Sequence, residues 1–500
     1  MTKTAFNPSS NKAPRQFNRQ DWASGYCNVE KELNAVGIHP TKGTIPKELC
    51  GFFYRNGPGR VERNGHRVHH PFDGDGMITA IRLKNGKATL SNRFVRTKGW
   101  EEEEKAGRFI YRGVFGTQKP GGVIANAFDL RFKNIANTHV IKLGSQLLAL
   151  WEAAGPHALD PKTLETHGLT TLNGVLKPKE PFSAHPRFDP GHHGTPRMVT
   201  FGVKAGPKSI VRLMEFATEG EEAGELINNR EDSFNGFSFL HDFAITPNWA
   251  VFLQNAISFN PLPFIFGQKG AAQCLKSKTN EKGKFLLIPR ESGAFAGQAP
   301  QSFDAPDGFV FHHLNAWEKG EKVIVESIHY PDFPEVGPKD DFLRMNFDLI
   351  PAGILSKCEI NLTNQKVKTT RYSKQCCEFA MVNPHKEGLS ARYSWMAIAD
   401  KPEGYAPLQA IKKLDLSTLE ECIWSASPRG FVSEPLMVPN PNSRIEDDGW
   451  ILVLVWNGER NGTDLVILKA HDLKQEAVIE LPIPIPHGLH GSWVEEVDSQ

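Results

Sequence analysis

Among 500 residues there are only seven cysteines, at positions 27, 50, 274, 358, 376, 377 and 422, with no Cys-x-x-Cys pair. An odd number at irregular spacing argues against a disulfide framework or a zinc ribbon, and it fits a reducing cytosol. The adjacent Cys376 and Cys377 lie in a strand-like run and read as two small apolar residues. No stretch reaches the eighteen or so apolar residues needed to cross a bilayer. The opening Met1-Thr2-Lys3-Thr4 stretch has no apolar core, so no signal peptide is expected and the location is expected to be cytoplasmic. There is no basic stripe, and the net charge is +1, so nucleic acid is not an expected partner. The nucleotide fingerprints Gly-x-Gly-x-x-Gly and Gly-x-x-x-x-Gly-Lys are also missing. Tyrosine is scarce: seven stand against thirty-two phenylalanines, which supply apolar wall without a hydroxyl needing a partner.

Long helical periodicity is scarce too. Residues 1–20 are polar, rich in Asn, Pro and Lys, and read as a loose segment ahead of one catalytic domain over 21–500. From about residue 85 onward, short apolar runs alternate with Gly, Pro, Asn and Asp clusters at strand spacing. The segment Leu159-Asp160-Pro161-Lys162-Thr163-Leu164-Glu165 is echoed by Leu414-Asp415-Leu416-Ser417-Thr418-Leu419-Glu420. A looser third copy is Leu468-Lys469-Ala470-His471-Asp472-Leu473. Recurring hairpins of this kind point to an all-β fold, a β-propeller. In His69-His70-Pro71-Phe72-Asp73-Gly74-Asp75-Gly76, the two Asp-Gly steps predict positive φ and a tight turn. Asp73 and Asp75 are expected to bond local backbone there rather than calcium.

The histidines need an explanation of their own. His312 ends the apolar run Gly308-Phe309-Val310-Phe311, and similar settings surround His185, His241 and His490. An imidazole pointed into a dry interior needs a hydrogen bond or a metal. Far apart in sequence, the four share no helix or loop, but the inner strands of a propeller bring such residues to one axis. His313 is expected on the opposite face from His312 because strand side chains alternate. His192-His193 reads as an exposed turn, and His69, His70 and His487 are left outside the cluster. Four neutral imidazoles suit iron, copper, nickel or zinc, and they leave a divalent charge to be balanced from behind. Glu152, Glu378 and Glu434 stand in strand-end settings that suit that task.

At these residues the chain resembles the carotenoid cleavage oxygenases, most closely the cyanobacterial apocarotenoid oxygenases. The resemblance rests on Tyr54-Arg55-Asn56-Gly57-Pro58, Phe72-Asp73-Gly74-Asp75-Gly76-Met77, and Phe311-His312 with Asn315-Ala316-Trp317-Glu318. Ser433-Glu434-Pro435 and Pro486-His487-Gly488-Leu489-His490-Gly491 complete it, in order from about residue 25 to 495. It implies a seven-bladed β-propeller capped by loops and short helices over an axial iron site. It further implies Fe(II) on His185, His241, His312 and His490, with Glu152, Glu378 and Glu434 behind the ligands and none behind His185. Thr138 would stand beside the open side of the iron, and Trp151 and Phe115 near the cleaved bond. The implied reaction uses O2 to cleave a conjugated double bond of a carotenoid or apocarotenoid, giving two carbonyl products.

Two rival readings are a calcium- or zinc-dependent propeller hydrolase, which needs oxygen ligands on the axis, and a carrier of apolar ligands with no catalysis. No obligate protein partner is evident. A water-insoluble polyene has to arrive from a membrane, so peripheral membrane contact is expected. The stretch Ala256-Ile257-Ser258-Phe259-Asn260-Pro261-Leu262-Pro263-Phe264-Ile265-Phe266-Gly267 is the candidate. Its two prolines make it a loop or cap segment, either buried or dipping into lipid.

Overall fold

The short apolar runs separated by turn residues pair as antiparallel hairpins, and the hairpins stack into seven sheets of four to six strands. This computed structural model describes residues 17–278, 280–334 and 342–496. Each sheet is one blade. The innermost strands follow one another round a single axis: His139–Leu143, Arg187–Asp189, Phe243–Ile245, Phe309–Lys319, Cys377–Met381, then Gly430–Val432 with Leu436–Pro439, and Gly491–Glu495. The ring is closed by the two ends of the chain. Gly491–Glu495 pairs with Gly51–Arg60 to become the inner strand of the first blade. Lys42–Gly43 pairs with Gln475–Glu480 on the outside of the last. Closure of this sort leaves only short sheet edges exposed, which protects against edge-to-edge association.

The sequence echoes are the turns between the third and fourth strands of their blades. Leu164, Leu419 and Leu473 all sit at positive φ, between 56° and 65°. Each donates its N–H four residues back, to Asp160, Asp415 and Lys469 respectively. The Asp160 and Asp415 carboxylates accept the next backbone N–H groups, which offsets the strain of a left-handed leucine. A fourth copy is spelled differently: Asn361 accepts from Gln365 N, Gln365 has φ 58°, and the Asn361 side chain caps Thr363 and Asn364. It uses Asn and Gln where the first two use Asp and Leu.

Much of the phenylalanine excess fills the space between blades. Phe201, Phe216, Phe243, Phe252 and Phe285 are fully buried, and Phe243 stacks on Phe252 at 5.1 Å. Trp395 is also fully buried, and its indole N–H reaches across to Ala470 O in the next blade at 2.9 Å. Cys376 and Cys377 are buried, and all seven cysteines are unpaired.

Two insertions cap one face. One runs from Val95 to Thr138 and carries the helices Lys98–Ala106 and Gly122–Asn126. The other is the hairpin Ile257–Phe259 with Leu275–Ser277, holding a one-turn helix at Leu262–Ile265. Arg112 ties them together. Its buried guanidinium donates to Asn126 O, Asp129 O, Phe264 O and Lys269 O, and lies 4.1 Å from the Phe264 ring centroid.

At the N-terminus, Asn18 caps the helix Arg19–Ser24, and Phe17 packs edge-on against Phe347 at 5.2 Å. Residues 17–20 are thus part of the fold, whereas residues 1–16 lie outside the described residues. The two Asp-Gly steps differ from expectation. Gly74 has φ −73°, and Gly76 is needed for closeness rather than for positive φ: a Cβ there would stand 2.2 Å from Ala136 O.

Candidate metal centre

The side chains singled out in the sequence stand where strands near the axis begin, end or break. His185, His241 and His490 each precede an inner strand, while Glu152 follows Gln146–Leu150, the strand paired to the inner His139–Leu143. His312 lies inside Phe309–Lys319, where the pairing register shifts between Val310 and His313. Glu378 stands at a second register shift, next to Phe379 at φ 55°. Glu434 occupies the gap between Gly430–Val432 and Leu436–Pro439, opened by Pro435. An interrupted ladder frees a side chain from the alternation of the pleat and aims it along the axis.

Four imidazoles meet there. His185 Nε2 lies 3.1 Å from His490 Nε2, and His241 Nε2 lies 3.3 Å from His312 Nε2. The ring of His185 is 4.2 Å from that of His241 and 4.7 Å from that of His490. The opposite ring nitrogens face carboxylates: His241 Nδ1 to Glu152 at 2.9 Å, His312 Nδ1 to Glu378 at 2.7 Å, and His490 Nδ1 to Glu434 at 2.8 Å. A carboxylate accepts only, so these three rings carry hydrogen at Nδ1 and turn an Nε2 lone pair inward. His185 Nδ1 is buried without a partner. Lone pairs at such distances repel unless a cation lies among them, and donors at right angles on one ion, about 2.1 Å from it, stand about 3 Å apart. The donor set therefore fits a transition-metal ion.

Two of the carboxylates are themselves anchored. Glu378 accepts from the Tyr330 hydroxyl and from Phe379 N. Glu434 accepts from buried Arg55 at 2.6 Å and from Gly491 N at 3.0 Å. Burial pushes the Glu434 carboxyl up, but His490 and Arg55 outweigh it and bring its pKa to about 2. Glu378 is likewise lowered, because His312 and Tyr330 override burial. Burial, reinforced by His241, His490, His312 and His139, holds His185 well below the ordinary imidazole value. Burial also opposes charge on His312, yet Glu378 wins and its pKa is raised.

Thr138 is buried beside this cluster, and its carbonyl accepts from His490 N at 3.0 Å. Trp151 is buried next to Glu152, bordering a small cavity shared with Asp73, Thr117 and Lys133. Phe115 packs edge-on against Phe72, with ring centroids 5.4 Å apart. The rings that lie against the histidines are others: Phe311 on His241, Phe379 on His312 and His490, and Phe239 on His241. All three are immediate or next neighbours of the chosen residues, which was their only signal in the sequence.

Several expectations are corrected. Asp73 reaches past its own turn to accept from Phe115 N, Thr117 N and Thr117 Oγ1, so it shapes the loop that carries Phe115. Asp75 pairs with Arg63 and Lys133 instead of with local backbone. His192 is no exposed turn residue, for its ring is largely covered and bonded to Glu387 O at 2.6 Å. In agreement with expectation, His313 turns away from the cluster to Ser327 Oγ at 2.7 Å, and His487 lies outside it, bonded to Trp22 O.

Residues 26–495 match the family of the retinal pigment epithelial membrane protein, RPE65. The apocarotenoid-15,15'-oxygenase of Synechocystis is 42% identical over 98% of this chain and 99% of its own. Resveratrol cleavage oxygenase 1 of Aspergillus fumigatus is 28% identical over 94% of each chain. The crystal structure of a cobalt-substituted Synechocystis ACO superposes with TM-score 0.93 at 42% identity, covering 96% of this chain and all of that one. With a family match over nearly its whole length and named oxygenases on both sides, the chain is an oxygenase and belongs to the RPE65/carotenoid oxygenase family.

Proposed function

We propose that His185, His241, His312 and His490 bind Fe(II), and that the chain uses O2 to cleave a conjugated double bond of an apocarotenoid or carotenoid into two carbonyl products. The observation that carries this reading is the inward convergence of imidazole Nε2 atoms backed by Glu152, Glu378 and Glu434. Fe(II) held by these four histidines would supply the electron density that O2 activation needs. The residues do the rest. The three carboxylates hold their histidines in one tautomer and balance the ion's charge from behind. Phe239, Phe311 and Phe379 give the polyene an apolar wall and keep water from the site. Thr138, whose carbonyl accepts from His490 N, is assigned to the open side of the iron on the resemblance. Trp151 and Phe115 are assigned to substrate contact on the resemblance.

Purified protein, reconstituted with Fe(II) and given a panel of apocarotenals and carotenoids, is expected to consume O2 and yield two aldehyde or ketone fragments by mass spectrometry. Bound calcium with hydrolysis would support a propeller hydrolase instead, and a bound polyene without O2 uptake a carrier.

The insertions support peripheral membrane contact. No described helix is long and apolar enough to cross a membrane. Val123, Ile124, Phe128 and Leu130 of the first insertion are 54–92% exposed, and Leu262 and Phe266 of the second are 56% and 46% exposed. Phe128 N donates to Ile265 O, and the Phe128 and Phe266 rings meet at 5.7 Å, so the apolar face is continuous. Such a face suits shallow insertion into lipid at the substrate's entry. Phe264 belongs to the buried reading: it is 5% exposed and stacked on Phe132. Leu262→Ser with Phe266→Ser is expected to lower liposome binding while leaving the melting temperature and activity on detergent-dispersed substrate near wild type. Phe264→Ser is expected to lower the melting temperature. A large stability loss in the double variant would overturn the membrane role.

A further inference from the structure

One step away from the histidines, a single guanidinium reaches the strands of three of them. Arg187 stands two residues after His185 and is largely buried. Its Nε donates to Phe243 O at 2.7 Å, two residues after His241. Its Nη2 donates to Asp242 Oδ2 at 2.6 Å and to His313 O at 2.7 Å, one residue after His241 and His312. The same Asp242 oxygen accepts from His313 N at 2.8 Å, so both backbone groups of His313 are held from one side. Asp242 Oδ1 accepts from Phe243 N at 2.7 Å. The remaining guanidinium nitrogen, Nη1, faces Glu387 Oε1 at 3.5 Å.

Three inner strands from three blades are thus locked by one planar group. Much of the contact between neighbouring blades is apolar, and such contact resists sliding weakly because dispersion is non-directional. A forked donor with fixed N–H directions supplies the register that apolar packing lacks. The strand of His490 lies outside its reach and is tied differently: the His139 ring lies between Ala184 O at 2.8 Å and Gly491 O at 3.0 Å.

We propose that Arg187, with Asp242 as its counter-ion, is the positioning residue of the metal centre, holding His185, His241 and His312 at ligand spacing before any ion arrives. This inference rests on the four-histidine reading of the site. It gives Arg187 a role that another buried guanidinium does not share: Arg290 is fully buried against Glu215, Asp189 and Thr246 O, past the ends of these inner strands that lie away from the histidines.

The test is a titration of the metal-stripped full chain with Co(II), followed by its visible absorption, alongside thermal melting. Arg187→Lys keeps the charge opposite Asp242 but loses the fork. It is expected to fold, bind Co(II) about 10–100-fold more weakly, and show an altered cobalt spectrum. Arg290→Lys is expected to lower the melting temperature while keeping the wild-type affinity and spectrum. If Arg187→Lys does not fold, Asp242→Asn takes its place, with the same weakening expected. Wild-type affinity and spectrum in whichever of these two variants folds would overturn the positioning role. Failure of the wild-type chain itself to bind Co(II) would strike at the four-histidine site instead.

Discussion

Glu434 on the axis and Glu326 within a blade are carboxylic acids removed from bulk water, yet they titrate in opposite directions. Glu434 is met by His490, Arg55 and a backbone N–H, and its pKa falls to about 2. Glu326 is fully buried on the strand Lys322–Tyr330, with the Tyr372 hydroxyl on one oxygen and no hydrogen-bond partner on the other. Burial pushes its pKa up to about 7 against the help of Tyr372 and Lys357. The difference is one of partners, not depth. Axial carboxylates are built to be charged against cationic or cation-binding neighbours, whereas the blade carboxyl is tolerated chiefly by keeping its proton.

The largest contrast is at the ligands themselves. His312→Ala is expected to remove nearly all bound metal and turnover while leaving a soluble propeller, as measured by metal analysis and circular dichroism. His313→Ala breaks only the bond to Ser327, so it is expected to keep its metal and lose about 1–2 kcal/mol of stability. Full metal content in His312→Ala would end the assignment.

Smaller, but still on the axis, are the carboxylates. Glu378→Gln and Glu434→Gln are each expected to weaken metal binding or turnover by about 10–100-fold, since an amide orients the imidazole less firmly. Glu434→Gln also strips the charge partner from Arg55, so about 1–3 kcal/mol of stability should go with it. Activity within twofold of wild type in both variants would remove the distinction between axis and blade.

The mildest expectation concerns pH. For Glu326 the folded pKa of about 7 lies above the ordinary value of 4.5. Between these values the folded chain keeps a proton that the unfolded chain has lost, so stability falls as pH rises through the window. Glu326→Gln should flatten that fall and leave the protein roughly 2 kcal/mol more stable than wild type at pH 8. Glu434 acts with the opposite sign, its contribution being present above pH 4.5 and lost as pH drops towards 2. Denaturant melts of the metal-free protein across pH 2–8 would show both slopes.

Local chemistry was legible in the chain. The turns at Asp160 and Asp415 announced themselves because an Asp cap supports a left-handed leucine four residues on, and the Asn361 copy was hidden because Asn and Gln do the same work under other letters. Histidines after apolar runs were legible for a similar reason, since an imidazole in such a setting requires a partner. Arg187 carried no such mark: two residues from His185, it reads as one more arginine until Phe243, Asp242 and His313 come within reach.

By itself the sequence determined the strands, the turn chemistry and the residue types at the centre, because each depends on neighbours a few positions away. The tertiary structure decided which residues meet. Closure of the ring by strands from both chain ends sets the spacing of the histidines, and the docking of two distant insertions through Arg112 makes one apolar face from Phe128 and Phe266. Both are contacts between segments far apart in the chain, whose geometry follows from packing across blades and leaves no periodicity to read.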